Sequence, residues 1–222
     1  MSQELWAAVE DYIDGLLVKP DPVLDAVRAA SDGAGLPTIA VTPNLGKFLY
    51  LLARIQGAQR ILEIGTLGGY STIWLARALR AGGKLVTLEA DAKHAEVARA
   101  NFARAELAGT IDLRLGRALE TLPLLEREGG GPFDLIFIDA DKENNAAYFT
   151  WAIRLARRGS VIVVDNVIRE GEVADAGTTD PRVLGVRRLN ELLAQEPRVE
   201  ATTLQTVDSK GYDGFTLALV AG

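Results

Sequence analysis

Residues 60–79 read RILEIGTLGGYSTIWLARAL: a short apolar run, a turn rich in glycine, then a segment whose apolar residues recur at helical spacing. A strand that turns directly into a helix is half of a βαβ unit, and the alternation continues downstream. KLVTLE (84–89) precedes AKHAEVARANFARAEL (92–107), and IDLRLG (111–116) precedes ALETLPLLERE (118–128). FDLIFIDA (133–140) precedes ENNAAYFTWAIRLA (143–156), and SVIVVDN (160–166) closes the series. Runs such as LIFI and VIVV lack polar alternation, as expected of parallel strands covered on both faces. The fold class expected is α/β, a doubly wound sheet with helices on both faces.

Upstream, the breakers KPDP and GLPT separate helical stretches at Gln3 to Leu17, Pro22 to Ala34 and Pro43 to Gln56. Downstream, a helix from Pro181 to Ala194 leads to VEATTLQTV and DGFTLALV, two runs able to pair as a hairpin through SKGYDG. No repeat or low-complexity tract interrupts the 222 residues. One domain is therefore expected over 1–222, with amino-terminal helices in 1–57 and the α/β core in 58–222. A net charge of −6 gives no field that gathers phosphate backbones or anionic membranes, which disfavours nucleic acid without ruling it out. With no cysteine and a single histidine, His94, thiolate and multi-histidine metal sites are excluded. His94 falls in a polar helical run and reads as a surface residue. No apolar run approaches the ~20 residues of a membrane span, and the amino terminus lacks a basic leader, so a soluble, cytoplasmic protein is expected.

In a doubly wound sheet, ligands sit beyond the carboxyl ends of the strands, which directs attention to the residues closing each apolar run. The turn Gly65-Thr66-Leu67-Gly68-Gly69-Tyr70-Ser71 is not the dinucleotide fingerprint, because its first, third and sixth positions are Gly65, Leu67 and Tyr70. Glu89 closes the next strand, where a carboxylate can accept both hydroxyls of a ribose. Glu63 adds a second carboxylate beside the turn, suited to a cationic amine and ill suited to a pyrophosphate. An acidic pocket with a ribose hook fits S-adenosylmethionine, whose sulfonium and amino groups are positive. Further on, FDLIFIDADK ends a strand in Asp139, Asp141 and Lys142, and the following strand ends in Asp165-Asn166. On neighbouring strands about 4.8 Å apart, Asp139 and Asp165 would converge and repel unless a cation lay between them. Their oxygen donors suit a hard divalent cation, most naturally Mg²⁺. The same carboxylates could instead serve as helix N-caps. Lys142, three residues beyond Asp139, could reach an oxygen at the same cation and act as a base. The long segment VIREGEVADAGTTD (167–180) reads as a lid.

These residues resemble the cation-dependent class I O-methyltransferases typified by catechol and caffeoyl-CoA O-methyltransferases. The resemblance runs from VTPNLGKFLYLLA through LEIGTLGGYS, TLEAD, LRLGRALE, FDLIFIDADK and VVDNV to YDGFTLAL. It implies a Rossmann-like sheet of seven strands, mostly parallel with the last strand antiparallel. It also implies S-adenosylmethionine as methyl donor, a divalent cation, a small aromatic, catechol-like acceptor and a homodimer. Carried over by motif, Asp139, Asp165 and Asn166 correspond to metal ligands and Lys142 to the base. Val41, Glu63, Gly65, Thr66, Ser71, Glu89 and Ala118 correspond to the cofactor wall, with Asp139 reaching cofactor and metal alike. Hydroxylated uridine in transfer RNA is the alternative acceptor the resemblance allows, and a non-catalytic cofactor-binding protein is the alternative outside catalysis. The chain departs from plant members at Arg169, where a tryptophan is usual, at Asn145, where a tyrosine is usual, and at the single glycine of Gly159-Ser160.

Overall fold

The computed structural model of the chain describes residues 2–222. Three helices come first: α1 (Gln3–Leu17), α2 (Pro22–Gly33) and α3 (Pro43–Gln56). Each starts where a polar cap precedes it. Asp21 accepts from the amides of Val23 and Leu24, Thr42 accepts from Leu45, and proline occupies the first turn of α2 and α3. The alternation then follows as β1 (Arg60–Ile64), α4 (Tyr70–Ala78), β2 (Lys84–Glu89), α5 (Ala92–Arg104), β3 (Ile111–Leu115), α6 (Ala118–Arg127) and β4 (Phe133–Ile138). After a 3₁₀ turn at Lys142–Asn144 come α7 (Asn145–Leu155), β5 (Ala156–Asp165), α8 (Pro181–Gln195), β6 (Val199–Asp208) and β7 (Gly211–Val220).

The seven strands form one sheet in the order β3-β2-β1-β4-β5-β7-β6. The pairs among β1 to β5 are parallel, and β7 runs antiparallel to both β5 and β6. The expected doubly wound sheet with an antiparallel last strand is present. Strand order reverses between β1 and β4, the switch point at which such sheets open a crevice.

Two apolar layers flank the sheet, and the period of two along each strand sorts residues between them. Ile136 and Ile138 of β4 pack with Leu122 of α6, Phe149 of α7 and Leu189 of α8. Leu135 and Phe137 pack on the other face with Val27 of α2, Leu49 of α3, Ile73 of α4 and Phe102 of α5. Among the described residues no helix is long and apolar enough to cross a membrane.

Three differences from the expected boundaries are instructive. Helix α5 stops at Arg104, where Glu106 turns left-handed (φ +58°), so the apolar Leu107 lies beyond its end. Strand β5 begins four residues early at Ala156, because Ser160 Oγ accepts from the Arg157 amide and donates to the Phe133 carbonyl across an irregular register. The residues 142–144 form a tighter 3₁₀ turn instead of the first turn of α7.

Candidate active site

The carboxyl ends of β1, β2, β4 and β5 open into a single cleft of about 1190 Å³, also walled by the 37–43 segment and the β6–β7 turn. A single small-molecule site usually occupies roughly 300–1,000 Å³, so this cleft has room for two ligands side by side.

Gly65 shows why the first turn needs glycine. Its φ is +100°, and a Cβ there would lie 2.0 Å from the Asp139 carbonyl oxygen, so β1 and β4 can approach only without a side chain. The Glu89 carboxylate organises the turn from the neighbouring strand. It accepts from the amides of Thr66 (3.2 Å) and Leu67 (2.8 Å) through Oε2, and from Asp91 (2.9 Å) through Oε1. Beneath the turn, Glu63 is fully covered and accepts three hydroxyl hydrogen bonds, from Ser71 (2.7 Å), Thr72 (2.5 Å) and Thr87 (2.7 Å). Burial pushes its carboxyl up to about 7, although the three hydroxyls draw it partly back. Glu63 does not line the cleft; Ser71, which donates to it, does.

The second cluster follows from strand register. Ile138 pairs with Val164 in the parallel ladder, so Asp139 and Asp165 leave adjacent strands side by side. Burial raises the Asp165 carboxyl above the ordinary carboxylate range, and the charge of Asp139 raises it further. Lys142 is buried, and its Nζ donates to Asp139 Oδ1 at 2.7 Å. Asn166 turns left-handed (φ +57°), and its amide donates to Asp165 Oδ1. Neither aspartate caps a helix. Among the described residues no three carboxylate, histidine or thiol side chains gather as a metal site; Asn166, next to Asp165, also lines this edge of the cleft. Two crowded carboxylates and an amide oxygen fit a hard divalent cation, whose charge would offset their repulsion.

Of the site residues expected from sequence, Val41, Gly65, Thr66, Ser71, Glu89, Ala118, Asp139, Lys142, Asp165 and Asn166 all line the cleft. His94, read as a surface residue, also lines it, with Nδ1 3.6 Å from Glu89 Oε1; α5 starts directly after β2 and turns its first residues inward. Asp141 accepts from the Tyr148 hydroxyl (2.5 Å) and from Asn144. Arg169 lines the cleft, whereas Asn145 is buried away from it. The 167–180 segment is fastened: Asp213 Oδ1 accepts from the amides of Ile168 and Arg169, and Arg187 donates to the Val173 carbonyl.

Two residues escaped the sequence reading. Lys210, inside a turn noted only for its breakers, reaches from the β6–β7 turn to the carbonyls of Ile39 (3.0 Å) and Ala40, next to Val41. Gly185 sits in α8, where a Cβ would lie 2.1 Å from the Lys142 carbonyl oxygen, so its absence lets α8 support the lysine turn. A glycine inside a helical run was the available signal.

A family model described as O-methyltransferase matches residues 18–220. The chain belongs to the O-methyltransferase family. Among relatives of this O-methyltransferase, a catechol O-methyltransferase of Mycobacterium tuberculosis is 57% identical over 212 residues, covering 96% of this chain and 94% of the relative. A catechol O-methyltransferase of Niastella koreensis is 51% identical over 220 residues, covering 99% of this chain and all of the relative. A crystal structure of the O-methyltransferase from Bacillus cereus in complex with SAH superposes with a TM-score of 0.98 at 57% identity, covering 99% of this chain and 100% of the other.

Proposed function

We propose that this O-methyltransferase transfers the methyl group of S-adenosylmethionine to one hydroxyl of a catechol-like aromatic acceptor, with the help of a divalent cation. The observation that carries the reading is the opening of the glycine turn and the Asp139–Lys142–Asp165–Asn166 cluster onto one cleft with room for two ligands. The names of the relatives and the SAH in the Bacillus cereus structure support it.

When bound, S-adenosylmethionine supplies an electrophilic methyl group and a divalent cation supplies a Lewis acid for vicinal oxygens. The chain does the rest. Glu89 would accept from a ribose hydroxyl with the one Oε1 lone pair that its three amide partners leave free, and Ser71, backed by Glu63, would face the amino group. Gly65, Thr66, Val41 and Ala118 wall the cofactor. Asp139, Asp165 and Asn166 would hold the cation, and Lys142, beside Asp139, would accept the acceptor's hydroxyl proton. The oxygen freed in this way would take the methyl group from the donor's sulfur, with a mono-methyl ether and S-adenosylhomocysteine as products. Holding both partners in line is the main contribution, an effect that can supply ~7 to 11 kcal/mol. We further propose a single folded unit that assembles as a homodimer, since Tyr12, Leu16 and Leu17 of α1 and Ile55 of α3 remain exposed.

Asp139→Ala and Asp165→Ala test the assignment through labelled methyl transfer at saturating Mg²⁺. Turnover is expected to fall at least 10²-fold in each; near-native turnover in either would overturn it.

A further inference from the structure

A second, smaller groove of about 420 Å³ lies beside the cleft, between α1, α3 and the ends of β6 and β7. Its walls are mostly apolar, with Leu5, Trp6, Val9, Phe48 and Phe215 among them. Two features relate it to the Asp165 end of the cleft. Leu45, Thr206 and Asp208 line both spaces. Phe215 is the β7 partner of Asp165 in the antiparallel ladder. Directly opposed residues share a sheet face with Cβ atoms about 4.5–5.5 Å apart, so the groove begins one side chain away from the candidate metal edge. The Phe215 ring is in turn extended by Phe48, with centroids 5.0 Å apart.

The outer wall is held in place. Gln3 of α1 donates to the carbonyls of Asp208 (3.0 Å) and Ser209 (2.8 Å), and Glu10 accepts from the Ser209 amide (2.7 Å). These bonds fix α1 over the β6–β7 turn while leaving Leu5 and Val9 about half exposed, at 49% and 48%. The groove is thus a braced apolar pocket of ligand size that adjoins, across Leu45, Thr206 and Asp208, the cleft proposed to take an aromatic diol.

We infer that this groove is a subsite for an apolar substituent of the acceptor, and that catechols bearing an alkyl arm are preferred to catechol itself. The inference rests on the proposed reaction for the placement of the ring. The arm would leave the diol at Asp165, pass Thr206 and Leu45, and cover Phe48, Phe215 and Val9. Burying a methylene multiplies affinity by about three to four. A butyl arm that is only partly buried is therefore expected to raise affinity and kcat/KM by about 10- to 100-fold.

Binding of catechol and of 4-butylcatechol to the full chain, measured by calorimetry with S-adenosylhomocysteine and Mg²⁺ present, tests the subsite without requiring turnover. Methyl transfer to the same two compounds is measured alongside. The expected result is a butyl-to-catechol ratio of about 10 to 100 in both readouts. Val9→Asp, on a half-exposed position, is expected to bring both ratios to within about threefold of one. Equal binding of the two compounds by the parent chain overturns the inference, and methylation of both would then leave the proposed reaction standing. A butyl preference that Val9→Asp does not alter also overturns it. So does the absence of a preference combined with a dimer that this substitution dissociates, which would assign the groove to a second copy of the chain. A calorimetric preference without methylation of either compound would support the subsite and count against the reaction.

Discussion

Glu63 couples the cofactor turn to pH. Its carboxyl is raised from the ordinary value of 4.5 to about 7 by burial, so the folded chain binds a proton more readily there than the unfolded chain does. The stability this contributes is complete below about 4.5 and is lost as pH rises through about 7, at an order of 3 kcal/mol over the window. Glu63→Gln is expected to flatten that slope, which urea unfolding between pH 5 and 8 measures. Ionisation above 7 also places a negative charge under Ser71, so affinity for S-adenosylmethionine is expected to rise with pH through about 7 in the parent chain and to stay level in Glu63→Gln. Sequence placed Glu63 beside the turn correctly along the chain. Its full burial depends on Thr72 and Thr87, hydroxyls supplied by a helix and a neighbouring strand, and no local motif encodes that convergence.

At the scale of elements, α8 and the β6–β7 hairpin position what the strand ends present. Gly185→Ala should raise intrinsic helix propensity by about 1 kcal/mol, yet its methyl would meet the Lys142 backbone, which cannot retreat as a flexible side chain could. The expected outcome is a net loss of about 1–3 kcal/mol with a fall in kcat larger than any change in affinity for S-adenosylmethionine. Thermal unfolding and steady-state kinetics check it. Lys210→Met should release the 39–41 segment and weaken cofactor binding by several-fold, since two carbonyls beside Val41 lose their donor. The strands themselves were legible because buried parallel strands demand continuous apolar runs. The early start of β5 was not, because ARRG joins the ladder through Ser160 and an irregular register that its polarity conceals. The place of His94 was hidden for a related reason: helical periodicity tells which residues are polar, but not that the first turn of α5 borders a cleft.

For the whole molecule, two ligands in one cleft should stabilise the fold by mass action. S-adenosylhomocysteine at about 100 times its Kd contributes about 2.7 kcal/mol, which in a chain of this size corresponds to roughly 5–10 °C in Tm. A further rise with Mg²⁺ is expected in the parent chain and is expected to be absent in Asp139→Ala; scanning calorimetry reads both. Sedimentation equilibrium should return twice the chain mass, with Leu17→Asp shifting the balance toward one copy, as the exposed face of α1 suggests. The central claim is that methyl donor and cation meet in this cleft to methylate a vicinal diol. It is tested most directly by transfer of labelled methyl from S-adenosylmethionine to catechol with Mg²⁺ and with chelator. Labelled mono-methyl ether that forms with Mg²⁺ and disappears with chelator is the predicted result; equal labelling in both would contradict the account.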